Sequence, residues 1–308
     1  MSTKKRRTPV LDCTESRISL YCDHIMNERA IFLFSCPDQR GIVADVSRFI
    51  FEAGGNILDS SQHNDIETDT FFLRVEWDTT NLVFPREEIA GRFADIERRF
   101  DMDLQLHLEP RRTKIAIFVS QHLHCLYDLV LSMREGEIEA DVSAVISNHE
   151  AAREVTDAFQ LPFYHVPVNA GNKVAAEQAQ QEILEKTGTE MVVLARYMQI
   201  LSDSFATRWY GKAINIHHSF LPAFVGAKPY HQAFARGVKI VGATSHYVTP
   251  ELDQGPIIEQ DITRISHRDQ VADLVRKGRN LERLVLQQAV KLHVEHRVLI
   301  FGNKTVVF

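Results

Sequence analysis

No stretch of this sequence approaches the ~20 consecutive apolar residues that a membrane-crossing helix requires. The N-terminus has no apolar core of the kind a secretory leader carries, so a cytoplasmic location is expected. Cysteine is scarce. Cys13, Cys22, Cys36 and Cys125 match no zinc spacing and are too few for a disulfide framework in 308 residues, so reduced thiols are expected. The 14 histidines show no His-x-x-x-His and no Cys/His ligand spacing, and no metal site is expected. Excess positive charge is also lacking. A net charge of -6 argues against a nucleic-acid binder held by phosphate contacts. The dense basic run Lys4-Lys5-Arg6-Arg7 reads as a solvated tail.

What is present is the composition of a folded protein, 44% apolar and 25% charged. The length is comfortable for two cores. Residues 1–28 are polar and mixed, a tail or irregular arm. Ile31 to Phe34 then forms a short strand, broken by Pro37-Asp38-Gln39-Arg40-Gly41. Ile42, Val43, Val46, Phe49 and Ile50 recur at helical spacing until Gly54-Gly55. Strands follow at Asn56-Ile57-Leu58 and at Phe71 to Trp77. A second helix carries Ile89, Phe93, Ile96 and Phe100 on one face, and Leu104, Leu106 and Leu108 alternate in a fourth strand. This βαββαβ order predicts a ferredoxin-like unit over 29–108.

Glu109 to Thr113 is a charged, proline-containing linker. Over 114–308 the pattern alternates. Strands at Ile115 to Val119, Val142 to Ile146, Phe163 to Val166 and Met191 to Leu194 are separated by helices around Leu126 to Met133, Ala151 to Phe159 and Val174 to Lys186. A final helix is expected over 270–296. Such alternation predicts an α/β, Rossmann-like, mostly parallel sheet that binds ligands beyond the carboxyl ends of its strands. The loop after its first strand, Ser120-Gln121-His122-Leu123-His124-Cys125-Leu126, has no glycine, so it gives no support for a dinucleotide or nucleotide phosphate.

The densest polar cluster in an apolar setting is Ile214-Asn215-Ile216-His217-His218-Ser219. Strand alternation puts Asn215 and His217 on one face near a strand end. An asparagine amide can donate to a developing oxyanion, and a histidine can move a proton near neutral pH. Both can equally be satisfied polar groups at a strand end. Asp253 follows His217 by 36 residues, in Leu252-Asp253-Gln254-Gly255-Pro256-Ile257-Ile258, where an Asp before Gly-Pro is commonly a turn residue.

Two resemblances sharpen these readings. Cys36-Pro37-Asp38-Gln39-Arg40-Gly41-Ile42-Val43, with Gly54-Gly55-Asn56-Ile57, resembles the ACT domain. That implies an effector site involving Asp38, Gly41, Ile42 and Asn56, with glycine or methionine as candidate effectors, or the same fold used only for assembly. Edge pairing of such sheets implies a homo-oligomer, a dimer or tetramer. Asn-x-His-x-Ser-x-Leu-Pro, then Gly242-Ala243-Thr244-Ser245-His246, then Leu-Asp-x-Gly-Pro-Ile-Ile resembles the folate-dependent formyltransferase family. The resemblance implies a catalytic set of Asn215, His217 and Asp253. It implies folate contacts at Arg196, Tyr197, Met198, Ile200, Leu201, His246 and Leu252, where Met198, Ile200 and Leu201 form either a pterin wall or simple core packing.

The purine-synthesis transferases of that family hold a ribonucleotide phosphate with a glycine-containing loop that this chain lacks. Its His124-Cys125-Leu126, His218, Gly226-Ala227-Lys228-Pro229-Tyr230-His231-Gln232-Ala233 and the ACT-like unit in front are similar instead to the formyltetrahydrofolate deformylases. The expected reaction is hydrolysis of a C–N bond, with 10-formyltetrahydrofolate as substrate, water as acceptor, formate released for one-carbon and purine metabolism, and no cofactor. His124 and His218 are the acceptor-side candidates, with His122 and His231 behind them. The alternatives are formyl transfer to an amine such as glycinamide ribonucleotide, or a catalytically silent folate or amino-acid sensor.

Overall fold

The computed structural model describes residues 28–223 and 229–308. The N-terminal arm, with Cys13, Cys22 and the basic run, and the Gly226-Ala227-Lys228 segment lie outside the described residues. The first unit comprises β1 (Arg29–Pro37), α1 (Ile42–Glu52), β2 (Asn56–Asp65), β3 (Thr70–Asp78), α2 (Ile89–Phe100) and β4 (Asp103–Glu109). Its antiparallel sheet has the order β2-β3-β1-β4. Gly41, at φ 100°, turns the chain from β1 into α1, a conformation that side chains with a Cβ resist. Ile42, Val46 and Ile50 from α1 and Ile89, Phe93 and Phe100 from α2 then close over Phe32, Phe34, Val75 and Trp77. Phe32 and Phe93 stack with centroids 4.4 Å apart.

The alternation in β3 would suit a sheet with one wet face, but both faces are covered. The second unit ends in a hairpin of β12 (Val298–Phe301) and β13 (Lys304–Val307). Leu299, Phe301, Val306 and Phe308 from this segment pack on Leu33 and Phe72. Arg74 is 2% exposed and donates to the carbonyls of Glu295 and His296, both at 3.1 Å. It also pairs with Glu76 at 2.8 Å and Asp59 at 3.0 Å. Arg74 thus ties the first sheet to the chain just beyond the last helix, with its charge matched as burial demands.

Between these lie β5 (Thr113–Val119), α3 (His124–Arg134), β6 (Ala140–Ser147), α4 (Arg153–Phe159), β7 (Phe163–His165), α5 (Lys173–Lys186) and β8 (Met191–Leu194). They are followed by α6 (Asp203–Arg208), β9 (Ala213–His217), α7 (Pro229–Arg236), β10 (Ile240–Tyr247), β11 (Ile257–Arg264) and α8 (Val271–Val294). The seven-stranded sheet has the order β11-β10-β9-β8-β5-β6-β7. Strands β9, β8, β5, β6 and β7 are mutually parallel, and β10 and β11 extend the sheet antiparallel. One apolar layer joins the sheet to α3 and α8, through Ile117, Val193, Leu126, Leu129, Val285 and Leu286. The other joins it to α5 and α6, through Phe118, Val192, Leu184 and Phe205.

Chain order on each side of β5 reverses, so the crevice between β5 and β8 is a topological switch point. The expected strands and helices of this unit are present, with α4 starting at Arg153 after a short 3-10 turn. The structure adds α6, α7, β10, β11 and the terminal hairpin to what periodicity indicated.

Candidate active site

The site is built at the carboxyl end of β9, flanked by the segments that follow β8 and β10. Register places His246 of β10 opposite Asn215 and Thr244 opposite His217. Thr244 fixes the turn after β9. Its hydroxyl donates to the Ser219 carbonyl (2.9 Å) and accepts from the Leu221 amide (3.1 Å) and the Gln260 side chain (2.9 Å). Gly255 lies against the Tyr247 carbonyl, 1.8 Å from where a Cβ would stand, so only glycine lets the returning loop reach β10. That loop carries Asp253 at φ 56°, a left-handed conformation of the kind concentrated at functional sites.

His217, Asp253, His246 and Asn215 form one connected group. His217 Nδ1 is 3.2 Å from Asp253 Oδ2, and His246 Nε2 is 3.7 Å from Asp253 Oδ1. His246 Nδ1 lies 2.9 Å from the Tyr247 carbonyl, which only accepts, so the proton belongs on Nδ1. His246 Nε2 is then the acceptor for Asn215 Nδ2 at 3.2 Å. Burial favours the neutral form of Asp253, but the hydrogen bond from His217 overcomes it and holds the carboxyl well below its usual range. His217 is 5% exposed, and its Nε2 is buried with no hydrogen-bond partner among the described residues. A histidine oriented through Nδ1 with Nε2 unengaged is arranged to donate or accept a proton.

Asn215, His246 and Asp253 line a cleft together with Ile200, Leu201 and Leu252. Ile200 is 62% exposed and Leu252 53%, an apolar wall facing outward beside the polar groups of Asn215, His246 and Asp253. The three residues preceding this wall are placed differently. Arg196 (φ 65°) aims its guanidinium at Glu282 Oε1, 3.5 Å away. Tyr197 is buried edge-on against Phe118, and its hydroxyl accepts from Gln180 at 2.6 Å. Met198 is exposed, at φ 60°.

Of the two acceptor-side candidates, His218 stacks on His217 with centroids 5.1 Å apart. Burial, then the charges of Arg196 and His217, push its pKa down to about 4, so it is neutral at pH 7. His124, the first residue of α3, meets Glu282 Oε2 at 2.7 Å, and the Tyr230 hydroxyl donates to Glu282 Oε1 at 2.8 Å. Glu282 is 1% exposed, and burial favours its neutral form. The His124 hydrogen bond and the Arg196 charge outweigh burial and hold its carboxyl below the ordinary value. Gly278, one turn earlier on α8, gives Tyr230 its seat: a Cβ there would be 1.9 Å from the tyrosine oxygen.

Cys125 Sγ, His124 and Glu282 offer ligand atoms within 4.8 Å of one another. The thiol is pushed up by burial and by the Glu282 charge, whereas a metal ligand must be a thiolate. His122 tilts against His124 at 6.3 Å, and His231 is exposed on α7.

Glu282, Tyr230 and Gly278 were not among the sequence candidates. The available signal was a carboxylate inside the apolar face formed by Leu281, Val285 and Leu286 of α8. In the first unit, Asp38 accepts from Asn64 at 2.5 Å near Gly41 and Ile42. Asn56 stands at the other end of β2, eight residues or about 26 Å away along an extended strand.

The formyl transferase family model matches residues 113–290. A formyltetrahydrofolate deformylase of Bacillus subtilis is 48% identical over 282 residues, covering 91% of this chain and 94% of that protein. One from Synechocystis is 45% identical over 284 residues, covering 92% and 100%. The crystal structure of a formyltetrahydrofolate deformylase from Pseudomonas syringae pv. tomato superposes with a TM-score of 0.90 at 42% identity, covering 94% of this chain and 96% of that one. With the formyl transferase fold, the full-length similarity and the oriented histidine all in place, this chain belongs to the formyltetrahydrofolate deformylase family.

Proposed function

We propose that this chain hydrolyses 10-formyltetrahydrofolate to formate and tetrahydrofolate, with Asn215, His217 and Asp253 as its catalytic residues. The observation that carries the reading is His217, held through Nδ1 by an ionised Asp253 with Nε2 left unengaged, two residues after Asn215 on the same face of β9. The outward apolar wall of Ile200, Leu201 and Leu252 suits the flat pterin of a folate. Water attacks the formyl carbon and the carbonyl oxygen gains charge. Asn215 Nδ2 and a protonated His217 Nε2 donate to that oxygen, each such donor contributing ~10²–10³ in rate. Asp253 takes the proton lost by the water, and His217 Nε2 gives its proton to the folate nitrogen as the C–N bond breaks. Bonds and protons balance without a cofactor: water and an N-formyl group give formate and an amine.

The test is formate release by purified protein with and without glycinamide ribonucleotide, beside Asp253→Asn. Release independent of the amine and lost in the variant supports the hydrolase. Turnover only with the amine would make the chain a transferase, and no turnover under either condition would leave a silent sensor.

The same reading makes residues 29–108 a regulatory ACT domain, linked through 109–113 to a catalytic domain over 114–308, in a cytoplasmic protein. Glycine or methionine is the proposed effector at Asp38, Gly41 and Ile42, and Asn56 joins that site only if a second copy supplies it. β2 is a largely exposed edge strand whose free N–H and C=O groups suit pairing with a second copy. Calorimetry with either amino acid and light scattering test the effector and the homo-oligomer. Absence of heat and of any kinetic change removes the effector, and a monomer removes the edge pairing. Among the described residues, no helix is long and apolar enough to cross a membrane.

A further inference from the structure

We propose that Glu282 is a positioning residue whose carboxylate offsets the Arg196 charge beside His218, the ring stacked on the catalytic histidine. The inference deepens the hydrolase reading and rests on it. Arg196 is 9% exposed, its Nη1 lies 3.5 Å from Glu282 Oε1, and its Nε is buried without a partner. Among the described residues, no other carboxylate pairs with it. Glu282 reaches the site from α8, across from β9, and draws His124, Tyr230 and Arg196 onto its two oxygens.

The groups around the pair come from every neighbouring element. β9 and the turn after it bring His217 and His218. β10 and the loop after it bring His246 and Asp253. The segment entering α3 brings His122, His124, Cys125 and Asp128, while α7 brings Tyr230 and α8 brings Arg279 and Arg283. Arg283 is within 3.5 Å of Asp128. Arg196 and Glu282 act on His218 in opposite directions, the cation favouring its neutral form and the carboxylate its charged form. Glu282 therefore limits what Arg196 does to His218, which stacks on His217. It also leaves Arg196 paired and so unable to attract a phosphorylated acceptor, whereas water needs no cation.

The isosteric Glu282→Gln keeps the shape and removes the charge. Arg196 then acts unopposed on the histidines. The titration of His218, held down to about 4 in the wild type, should move to lower pH by about one unit, the scale of an uncompensated cation nearby. Millimolar inorganic phosphate should inhibit this variant and leave the wild type unaffected. Arg196→Gln alone should move the ionisation upward, and the double variant should restore the wild-type profile and abolish phosphate inhibition.

Ring-proton NMR of His218 reads this shift without turnover, so a failure of formate release in the wild type would fault the hydrolase reading alone. Should Glu282→Gln not fold, Arg196→Gln carries the test through its opposite sign. A folded Glu282→Gln with unmoved titration and no phosphate inhibition would overturn the proposal, as would an Arg196→Gln with unmoved titration.

Discussion

Asp253→Asn removes one charge and almost nothing else. The side chains are isosteric, and asparagine is among the few residues that accept the left-handed φ of 56° at this position. The loop is further held by Gly255 against the Tyr247 carbonyl, so its path is not set by the carboxylate. Two things are lost. His217 Nδ1, 3.2 Å away, no longer faces an anion that fixes its tautomer and stabilises its charged form. The attacking water also loses its base. General-base help is worth roughly 10²–10⁴ in rate, or about 2.7–5.4 kcal/mol of barrier. The expected result is a fall in kcat of at least a hundredfold, with the melting temperature and the KM for 10-formyltetrahydrofolate little changed. Steady-state formate release and a thermal melt on the same preparation measure this. A kcat within threefold of wild type in a folded variant would refute the role assigned to Asp253.

Leu252→Ala removes roughly 50 Å² of outward-facing apolar surface, worth about 1.2 kcal/mol of ligand contact, so KM should rise about tenfold while stability holds. An unchanged KM would take Leu252 out of the folate wall. Gly278→Ala would gain about 1 kcal/mol from helix propensity on an open surface. Here the methyl would displace the Tyr230 hydroxyl, so urea denaturation should show a net loss of about 1–3 kcal/mol.

Acid sensitivity should begin well above the carboxylate range. His107, His218 and His293 are held down to about 3, 4 and 4, in each case chiefly by burial. Each stays neutral in the fold but takes a proton near pH 6.5 when unfolded. The unfolded chain therefore binds more protons below pH 6.5, and stability falls with pH by up to about 1.4 kcal/mol per unit for each histidine. Urea midpoints at pH 7.5 and 5.0 should differ, and His107→Gln should narrow the difference. Equal midpoints in the wild type would contradict this.

Legibility in the sequence followed how local the determinant was. β8, and β5 from Ile115 onward, are uninterrupted apolar runs, and the periodic faces of α1, α2 and α3 carry their own signal. Asn215 and His217 were legible because Ile214 and Ile216 marked the strand around them. β10 was not, because Thr244, Ser245 and His246 are polar yet buried, and the side-chain hydrogen bonds of Thr244 and His246 come from β9, β11 and the turn at Ser219. The terminal hairpin did leave a trace, since Gly302-Asn303 between two apolar runs is a two-residue turn signature. Glu282 lay beyond reach of any local pattern. Only folding brings His124, Arg196 and Tyr230, separated from it by 158, 86 and 52 residues, onto one carboxylate.

The most direct measurement is the fate of oxygen. In single-turnover hydrolysis of 10-formyltetrahydrofolate in water labelled with ¹⁸O, mass spectrometry of the formate should find one labelled oxygen, the other coming from the formyl group. Unlabelled formate, or a formyl group recovered on an added amine, would contradict the assignment of water as the acceptor.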